Sequence, residues 1–271
     1  MSMLSTVAPW DTVAEGYSET TMRLFRSYIE TALELVSVGQ DDHIADIACG
    51  PGTLSLAAAN RVASVKALDF SENMLGMLRK GMSDQDVDNI EPLQGDGQSL
   101  PYEDNIFDAA FSMFGLMFFP DRAKGFSELY RTLKPGGRVC VSSWAPVEQS
   151  TAIMAMFSAM QLIKPDIPDP KYDVASLENP EVLKAEMRDA GFRDVVVHKV
   201  SDSSEAISSQ RFWDDMVRGS APVLMLKNSM TEEVWSEKSK LAIEHIEESV
   251  GPFPVSLSAT AWLGVGVKQQ Q

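Results

Sequence analysis

Three short stretches carry residue types that suit a nucleoside-like ligand. In Asp46-Ile47-Ala48-Cys49-Gly50-Pro51-Gly52-Thr53 an acid precedes a Gly-x-Gly turn. Gly50 and Gly52 lack side chains, so the backbone there can pass close to a ligand. A plain tight turn explains the pair equally well when it is read alone. Asp69 stands about 20 residues further on, the spacing at which an acid grips ribose hydroxyls. Its two acceptor oxygens match two vicinal hydroxyl donors. The bland alternative is a helix-capping acid. The third stretch is Gly95-Asp96-Gly97-Gln98-Ser99-Leu100-Pro101. Asp96 can accept from an exocyclic amine such as that of adenine, and a neighbouring N–H can reach a ring nitrogen. By itself Gly-Asp-Gly is ordinary turn chemistry.

The periodicity of the flanking residues says what must hold these groups. Met22, Phe25, Ile29, Leu33 and Val36 recur at helical spacing over residues 20–37, and Gly39 ends the run. His43 to Ala48 reads as a strand that delivers the first glycine turn. Thr53 to Asn60 reads as a helix, and Val62 to Phe70 contains a second strand ending at Asp69. Ser71 is an N-cap with Glu72 in the first turn, and Met74, Leu75 and Leu78 give that helix its apolar face. Ile90 to Gln94 is a short strand leading into Asp96. Ile106 to Met113 is a fourth strand. Asp121 caps a helix with Ala123, Phe126, Leu129, Tyr130 and Leu133 inward. Lys134-Pro135-Gly136-Gly137 then stops it, and Val139 to Trp144 is a fifth strand. Strand–helix alternation over residues 40–144 predicts a parallel sheet with helices on both faces. Beyond Ala145 the rhythm loosens. Helices are expected at 153–163, 180–190, 211–218 and 232–248, strands at 193–200 and 259–267, and a loop around Pro165, Pro168 and Pro170.

Composition sets the class. The chain has 271 residues, 44% hydrophobic and 23% charged, which is the balance of a globular protein. Twenty-three Lys and Arg against 39 Asp and Glu give a net charge of −16. That argues against a nucleic-acid or anionic-membrane partner held by broad electrostatic attraction. No apolar run reaches the ~18 residues of a membrane span, and no basic-then-apolar opening suggests a secretory leader. Cys49 and Cys140 cannot build a disulfide framework or a thiolate metal site. The expected compartment is a reducing cytoplasm, and no metal is expected.

Taken together, the stretches resemble the class I S-adenosylmethionine-dependent methyltransferases. Within that class the chain is most similar to the broad group that contains the ubiquinone/menaquinone-biosynthesis C-methyltransferases and many small-molecule methyltransferases. The matching segments are Asp46–Thr53, Ala67–Leu75, Gly95–Pro101, Phe107–Ala110 and Leu133–Gly137, in family order, covering roughly residues 40–145. The later half matches only through Ala190-Gly191-Phe192 and the closing strand. The resemblance implies an α/β fold: a Rossmann-like, doubly wound, mostly parallel seven-stranded sheet with an antiparallel last strand and helical lid insertions. It implies one domain, with a helical cap at 1–40, a cofactor-binding core at 41–145, lid insertions at 146–179 and 201–258, and a last strand at 259–267. It also implies roles. Asp46 would help hold the methionine ammonium and the Ala48–Gly52 backbone would line the methionine. Asp69 would take the ribose, with Phe70 and Met74 packing on the nucleoside. Asp96 would take the adenine amine and the Gly97 N–H a ring nitrogen. The Ser112 carbonyl would lie near the ammonium, and Tyr17, in the segment from Trp10, would cover the cofactor. Ala48 stands where many members have glycine. A dinucleotide fingerprint is disfavoured, because its third small residue is replaced by Ser55.

The implied reaction is methyl transfer from S-adenosylmethionine to a small acceptor by in-line displacement. No catalytic base emerges. His43, His198 and His245 sit in positions that read as structural or solvated, and Asp202 and Tyr172 cannot be ranked. Two cysteines are too few for arsenic methylation. Met113, Phe114, Met117, Phe118 and Phe119 follow the fourth strand, and Met154, Met156, Met160, Phe212, Trp213, Met225 and Trp235 populate the insertions. With fifteen methionines in the chain, these suggest an adaptable apolar or aromatic acceptor pocket under a helical lid. Phe114, Phe118 and Trp213 are its candidate residues. Ordinary packing of those helices is the alternative. Arg211 and Arg218 could hold an acceptor carboxylate, or merely face solvent. A protein that binds the cofactor without methylating is the second reading. Protein or RNA methylation is disfavoured by the charge, and by Ser112-Met113-Phe114-Gly115 where an Asn-Pro-Pro-Tyr-like motif would stand.

Overall fold

The computed structural model describes residues 3–167 and 177–270. Seven strands make one sheet in the order β3-β2-β1-β4-β5-β7-β6. They are β1 His43–Ile47, β2 Ser64–Asp69, β3 Ile90–Gln94, β4 Phe107–Ser112, β5 Leu133–Trp144, β6 Arg193–Ala206 and β7 Val255–Val267. The first five run parallel, and β7 is antiparallel to both β5 and β6. The central strands are covered on both faces. Ile44, Ala45, Ala109, Ala110, Val139 and Val141 are fully buried, which is why these strands read as apolar runs rather than alternating ones. After β1 the chain builds β2 and β3 on one side, then returns to place β4 on the other. The crevice above the carboxyl ends of β1 and β4 is therefore the switch point at which open α/β sheets bind ligands.

Ten helices of six residues or more are among the described residues. Two precede the sheet: α1 Val7–Thr20 and α2 Met22–Val36. The expected single helix over 20–37 is thus the second of a pair that breaks at Thr21. In α1, Pro9 occupies the first turn, where its missing N–H would be unpaired anyway. Within the core come α3 Thr53–Ala58, α4 Glu72–Asp84 and α5 Arg122–Thr132. Ser71 caps α4 by accepting from the Met74 N–H at 3.1 Å, as its sequence position predicts. Beyond β5 follow α6 Thr151–Ile163, α7 Pro180–Asp189, α8 Ser209–Gly219, α9 Ala221–Asn228 and α10 Glu232–Val250.

The last two strands are longer than their sequence predicts. Ser201 to Ala206 pair with Val255 to Thr260, so residues assigned above to the 201–258 insertion belong to a two-stranded ribbon. Serines and acids dominate that part of β6, and its exposed position hides any apolar alternation. The helices between β6 and β7 occupy 209–250. The expected turn at Lys134–Gly137 lies inside the continuous β5. Pro168, Pro170 and Tyr172 lie outside the described residues.

Three apolar clusters result among the described residues. The smallest joins Leu4, Val13 and Ala14 to Met74 and Ala221. Of the two larger ones, one lies on both sides of the sheet. The other joins α6, α8, α9 and α10 around Trp213 and Trp235, whose rings stack 6.0 Å apart. No helix among the described residues is long and apolar enough to cross a membrane.

Candidate active site at the switch point

Above the ends of β1 to β4 lies a cavity of about 320 Å³. Its polar groups come from consecutive strand ends. Asp46, near the end of β1, is 1% exposed. Its Oδ2 accepts from the Ser55 backbone N–H at 3.1 Å and the Ser55 hydroxyl at 2.6 Å. Its Oδ1 has no partner among the described residues. Burial pushes this carboxyl up to about 7, and the Ser55 bonds only partly oppose the shift. Asp69 ends β2. Its Oδ2 accepts from the Gly50 N–H at 2.8 Å and its Oδ1 from the Ser71 N–H at 2.9 Å. Burial pushes it up to about 6 against those same bonds. One carboxylate thus fastens the glycine turn to the cap of α4. Asp96, after β3, is exposed, and its Oδ1 accepts from the Gln98 N–H at 2.8 Å.

The turn has the backbone its glycines suggest: φ is +55° at Gly50 and +85° at Gly52. Ala48 adopts +58°, a left-handed conformation uncommon for alanine. Ala48 and Gly50 line the cavity, as do Phe70, Met74, Gly97 and Tyr17. Tyr17 stacks on Phe25 at 5.9 Å. Burial pushes its phenol up, and the Asp69 charge adds to the shift. Gly52 does not face the cavity; it caps α3, where a side chain would press on Leu78. Ser112 is also behind the wall. Its side chain is fully buried, its hydroxyl has no partner among the described residues, and its neighbour Met113 lines the cavity. The role expected of Ser112 falls to its backbone carbonyl, on which the buried side chain does not bear.

The candidate acceptor residues divide. Phe114 and Phe118 line the cavity. Trp213 does not: it is fully buried in the second core, with its indole N–H donating to the Ser239 hydroxyl at 2.7 Å. An aromatic residue on a helix looks the same in sequence whether it fills a core or faces a ligand. More broadly, none of the described lining residues lies beyond Pro120, so the described part of the insertions contributes no wall. Instead the wall is closed by Trp10, from the segment expected to cover the cofactor, and by residues not foreseen there: Leu4, Ser5, Phe25 and Ile29. Trp10 packs against Phe118 at 5.2 Å and donates to the Leu4 carbonyl at 2.8 Å. Phe25 and Ile29 were legible only as the buried face of a helix.

The insertions act at one remove. Helix α8 clamps α1 and the start of α2 onto the cavity. Arg218 pairs with Glu19, Arg23 with Asp215 at 2.8 Å, and the Thr21 hydroxyl donates to the Gly219 carbonyl at 3.1 Å. Arg211 also turns to Asp215, at 3.2 Å. Both candidate cations are thus committed to ion pairs rather than to the cavity. Gly16 is required at the crossing, since a Cβ there would collide with the Arg218 carbonyl oxygen. At the opposite end of α1, Asp11 accepts from the Ser71 hydroxyl at 2.6 Å.

Electrostatically the cavity is one-sided. Its described wall carries Asp46, Asp69 and Asp96 and no Lys, Arg or His. His43 contacts Ser64 at the other end of β1, while His198 and His245 lie on β6 and α10. Desolvated carboxylates without a counter-charge fit a cationic ligand. Each oxygen of Asp69 keeps a second lone pair after its backbone bond, which fits a vicinal diol. The unpartnered Oδ1 of Asp46 fits an ammonium. Among the described residues no group of side chains suits a metal ion.

A doubly wound sheet of this strand order, with an acid at each of three successive strand ends around one cavity, defines the class I S-adenosylmethionine-dependent methyltransferases. The chain belongs to the ubiE/COQ5 methyltransferase family, whose family model matches residues 5–209. It is 33% identical over 133 residues to a demethylmenaquinone methyltransferase of Listeria monocytogenes, an alignment covering 48% of this chain and 56% of the relative. The chain thus spans little more than half the length of that curated relative. Among solved structures, YcgJ of Bacillus subtilis superimposes with a TM-score of 0.58 at 17% identity, over 90% of this chain and 99% of that one. Phosphoethanolamine N-methyltransferase 2 of Haemonchus contortus, in complex with phosphomonomethylethanolamine and S-adenosylhomocysteine, gives 0.56 at 18% identity, over 90% and 53%. At those identities the likeness is one of fold.

Proposed function

We propose that the protein transfers a methyl group from S-adenosylmethionine to a small, apolar or aromatic acceptor. The observation that carries this reading is a described wall that holds three carboxylates and no cation, joined to an aromatic wall of Trp10, Phe114 and Phe118. When bound, the cofactor supplies an electrophilic methyl on a sulfonium sulfur, which leaves with the bonding electron pair. The chain's part is to hold and orient. Asp69 takes the ribose, Asp96 and the Gly97 N–H take the adenine, and Asp46 takes the ammonium. The Ala48–Gly50 backbone lines the methionine, Phe70 and Met74 flank the nucleoside, and Tyr17 covers it. Trp10, Phe114 and Phe118 exclude water and give the acceptor an apolar seat. Such orientation supplies several kcal/mol of the roughly 7–11 available to aligned reactants. Among the described lining residues the groups able to take a proton, the three carboxylates and Tyr17, are engaged by the cofactor, which suits an acceptor that needs no protein group to deprotonate it. An electron-rich ring of the quinol type, which the named relative suggests, fits: its carbon takes the methyl as the C–S bond breaks, and the displaced ring proton then passes to solvent.

The reading divides the chain into a cap (1–40), a cofactor core (41–145), bracing insertions and a closing strand. It places the protein in a reducing cytoplasm, in keeping with two unpaired, buried cysteines.

Isothermal titration with S-adenosylmethionine, with NADH in parallel, tests the cofactor. Micromolar binding of the first alone supports the reading, and binding of NADH alone sinks it. Release of S-adenosylhomocysteine when aromatic acceptors are added separates an enzyme from a non-catalytic binder. In the same titration Asp96→Ala should weaken S-adenosylmethionine binding only about 5-fold. Its carboxylate is exposed, and one neutral-amine contact contributes about 1 kcal/mol net. A loss as large as that expected for Asp69 would show that the adenine lies elsewhere.

A further inference from the structure

The loop after β4 holds a conformational outlier at the cavity. Phe114 has φ of +57°, a region that bulky residues rarely enter. The other non-glycine residues with positive φ are Ser37, Asp86, Asn105 and Asp194, all small or polar, and Ala48. Ala48 sits across from this same loop: a Cβ on Gly115 would collide with the Ala48 methyl. Strained backbone that persists at a ligand site is held there by its surroundings.

What holds Phe114 is visible. The β4–β5 ladder ends with Ser112 opposite Val141. The Phe114 N–H, one step past the ladder, donates instead to the hydroxyl of Ser142 at 2.9 Å. Ser142 is fully buried in a central strand, between Val141 and the equally buried Ser143. A polar group in such a place is tolerated when it makes its bond. The ring of Phe114 then packs against Trp144 at 4.4 Å, Phe25 at 4.7 Å and Tyr28 at 5.5 Å. Tyr28 is itself anchored, donating to the Ala259 carbonyl at 2.7 Å. The carboxylates belong to the ends of β1, β2 and β3, whereas this aromatic wall stands after β4 beside the N-terminal helices.

We propose that Ser142 is a positioning residue for the acceptor: by holding Phe114 in its left-handed conformation, it fixes the aromatic wall on which a planar, uncharged acceptor is seated. The inference rests on the function proposed above. Ser142 touches neither ligand and acts through Phe114.

The probe is 1-naphthol, titrated into the protein saturated with S-adenosylhomocysteine. Wild type should bind it. Ser142→Ala should weaken naphthol at least 10-fold while leaving S-adenosylmethionine affinity within 2-fold, and Ser142→Thr, which keeps the hydroxyl, should restore binding. Phe114→Leu should lose naphthol to a similar degree, and adding Ser142→Ala to it should cost nothing further. Naphthol binding unchanged in Ser142→Ala overturns the proposal. So does a parallel loss of naphthol and S-adenosylmethionine, which would mark the serine as merely structural. Should Ser142→Ala fail to fold, a loss of naphthol binding in Ser142→Thr, which keeps the hydroxyl, overturns it equally. Wild type that binds S-adenosylmethionine but not naphthol removes the aromatic seat, and this inference with it. Wild type that binds neither removes the proposed function itself.

Discussion

Asp69→Ala should lower affinity for S-adenosylmethionine at least ~100-fold while the protein stays folded. An ionised carboxylate is acceptor-only, with about four lone-pair sites. Two are used by Gly50 and Ser71, and two remain for the ribose diol. Losing two hydrogen bonds to a charged group costs roughly 3–6 kcal/mol, or two to four orders of magnitude. The glycine turn also loses its tie to the cap of α4. The fold should tolerate this, since removing a desolvated charge offsets two lost backbone bonds. Calorimetric titration and a thermal melt check both halves. Affinity within 5-fold of wild type would place the ribose away from β2.

Asp46→Asn should raise the Tm of the ligand-free protein by about 5–10 °C at pH 8, and weaken cofactor binding at least ~10-fold. Burial pushes the Asp46 carboxyl up to about 7, well above its value in an unfolded chain. The sign follows from linkage: a group raised in the fold stabilises fully below its unfolded pKa, and that contribution is lost as pH rises through the folded one. At pH 8 the native state carries an ionised group it disfavours, by an amount on the order of 2–4 kcal/mol. Asparagine removes that charge yet keeps an oxygen for Ser55. The gain should therefore vanish near pH 4, where both forms are neutral. Binding runs the other way, because an ammonium needs the carboxylate. Wild-type affinity should fall between pH 8 and pH 5.5, as Asp46 and then Asp69, raised to about 6, take up protons. A variant whose advantage persists unchanged at pH 4 would refute the assignment of the shift to Asp46.

What could be read in advance, and what could not, has physical reasons. Asp46 and Asp69 were legible as acids at the ends of apolar strands, before a glycine turn and an N-cap, and Asp96 as an acid between two glycines. That local grammar survives without any knowledge of packing. The first helix was not legible. Pro9 and Gly16 interrupt its pattern, and its buried side, with Pro9, Val13 and Ala14, is short of large apolar residues. The polar end of β6 went unrecognised because an exposed ribbon needs no alternation. Trp213 was misplaced because large apolar side chains carry no mark of which apolar space they fill.

The clamp of α8 on α1 puts part of the control over the cavity's shape outside its wall. The match to the family ends at residue 209, where α8 begins. The helices that follow contribute nothing to the cavity wall, yet they seat the helix bearing Trp10 and Tyr17. Drift in that stretch would reach the ligand as a change in the tilt of one helix rather than as a new contact. Acceptor preference could thus diverge between relatives whose lining residues are identical.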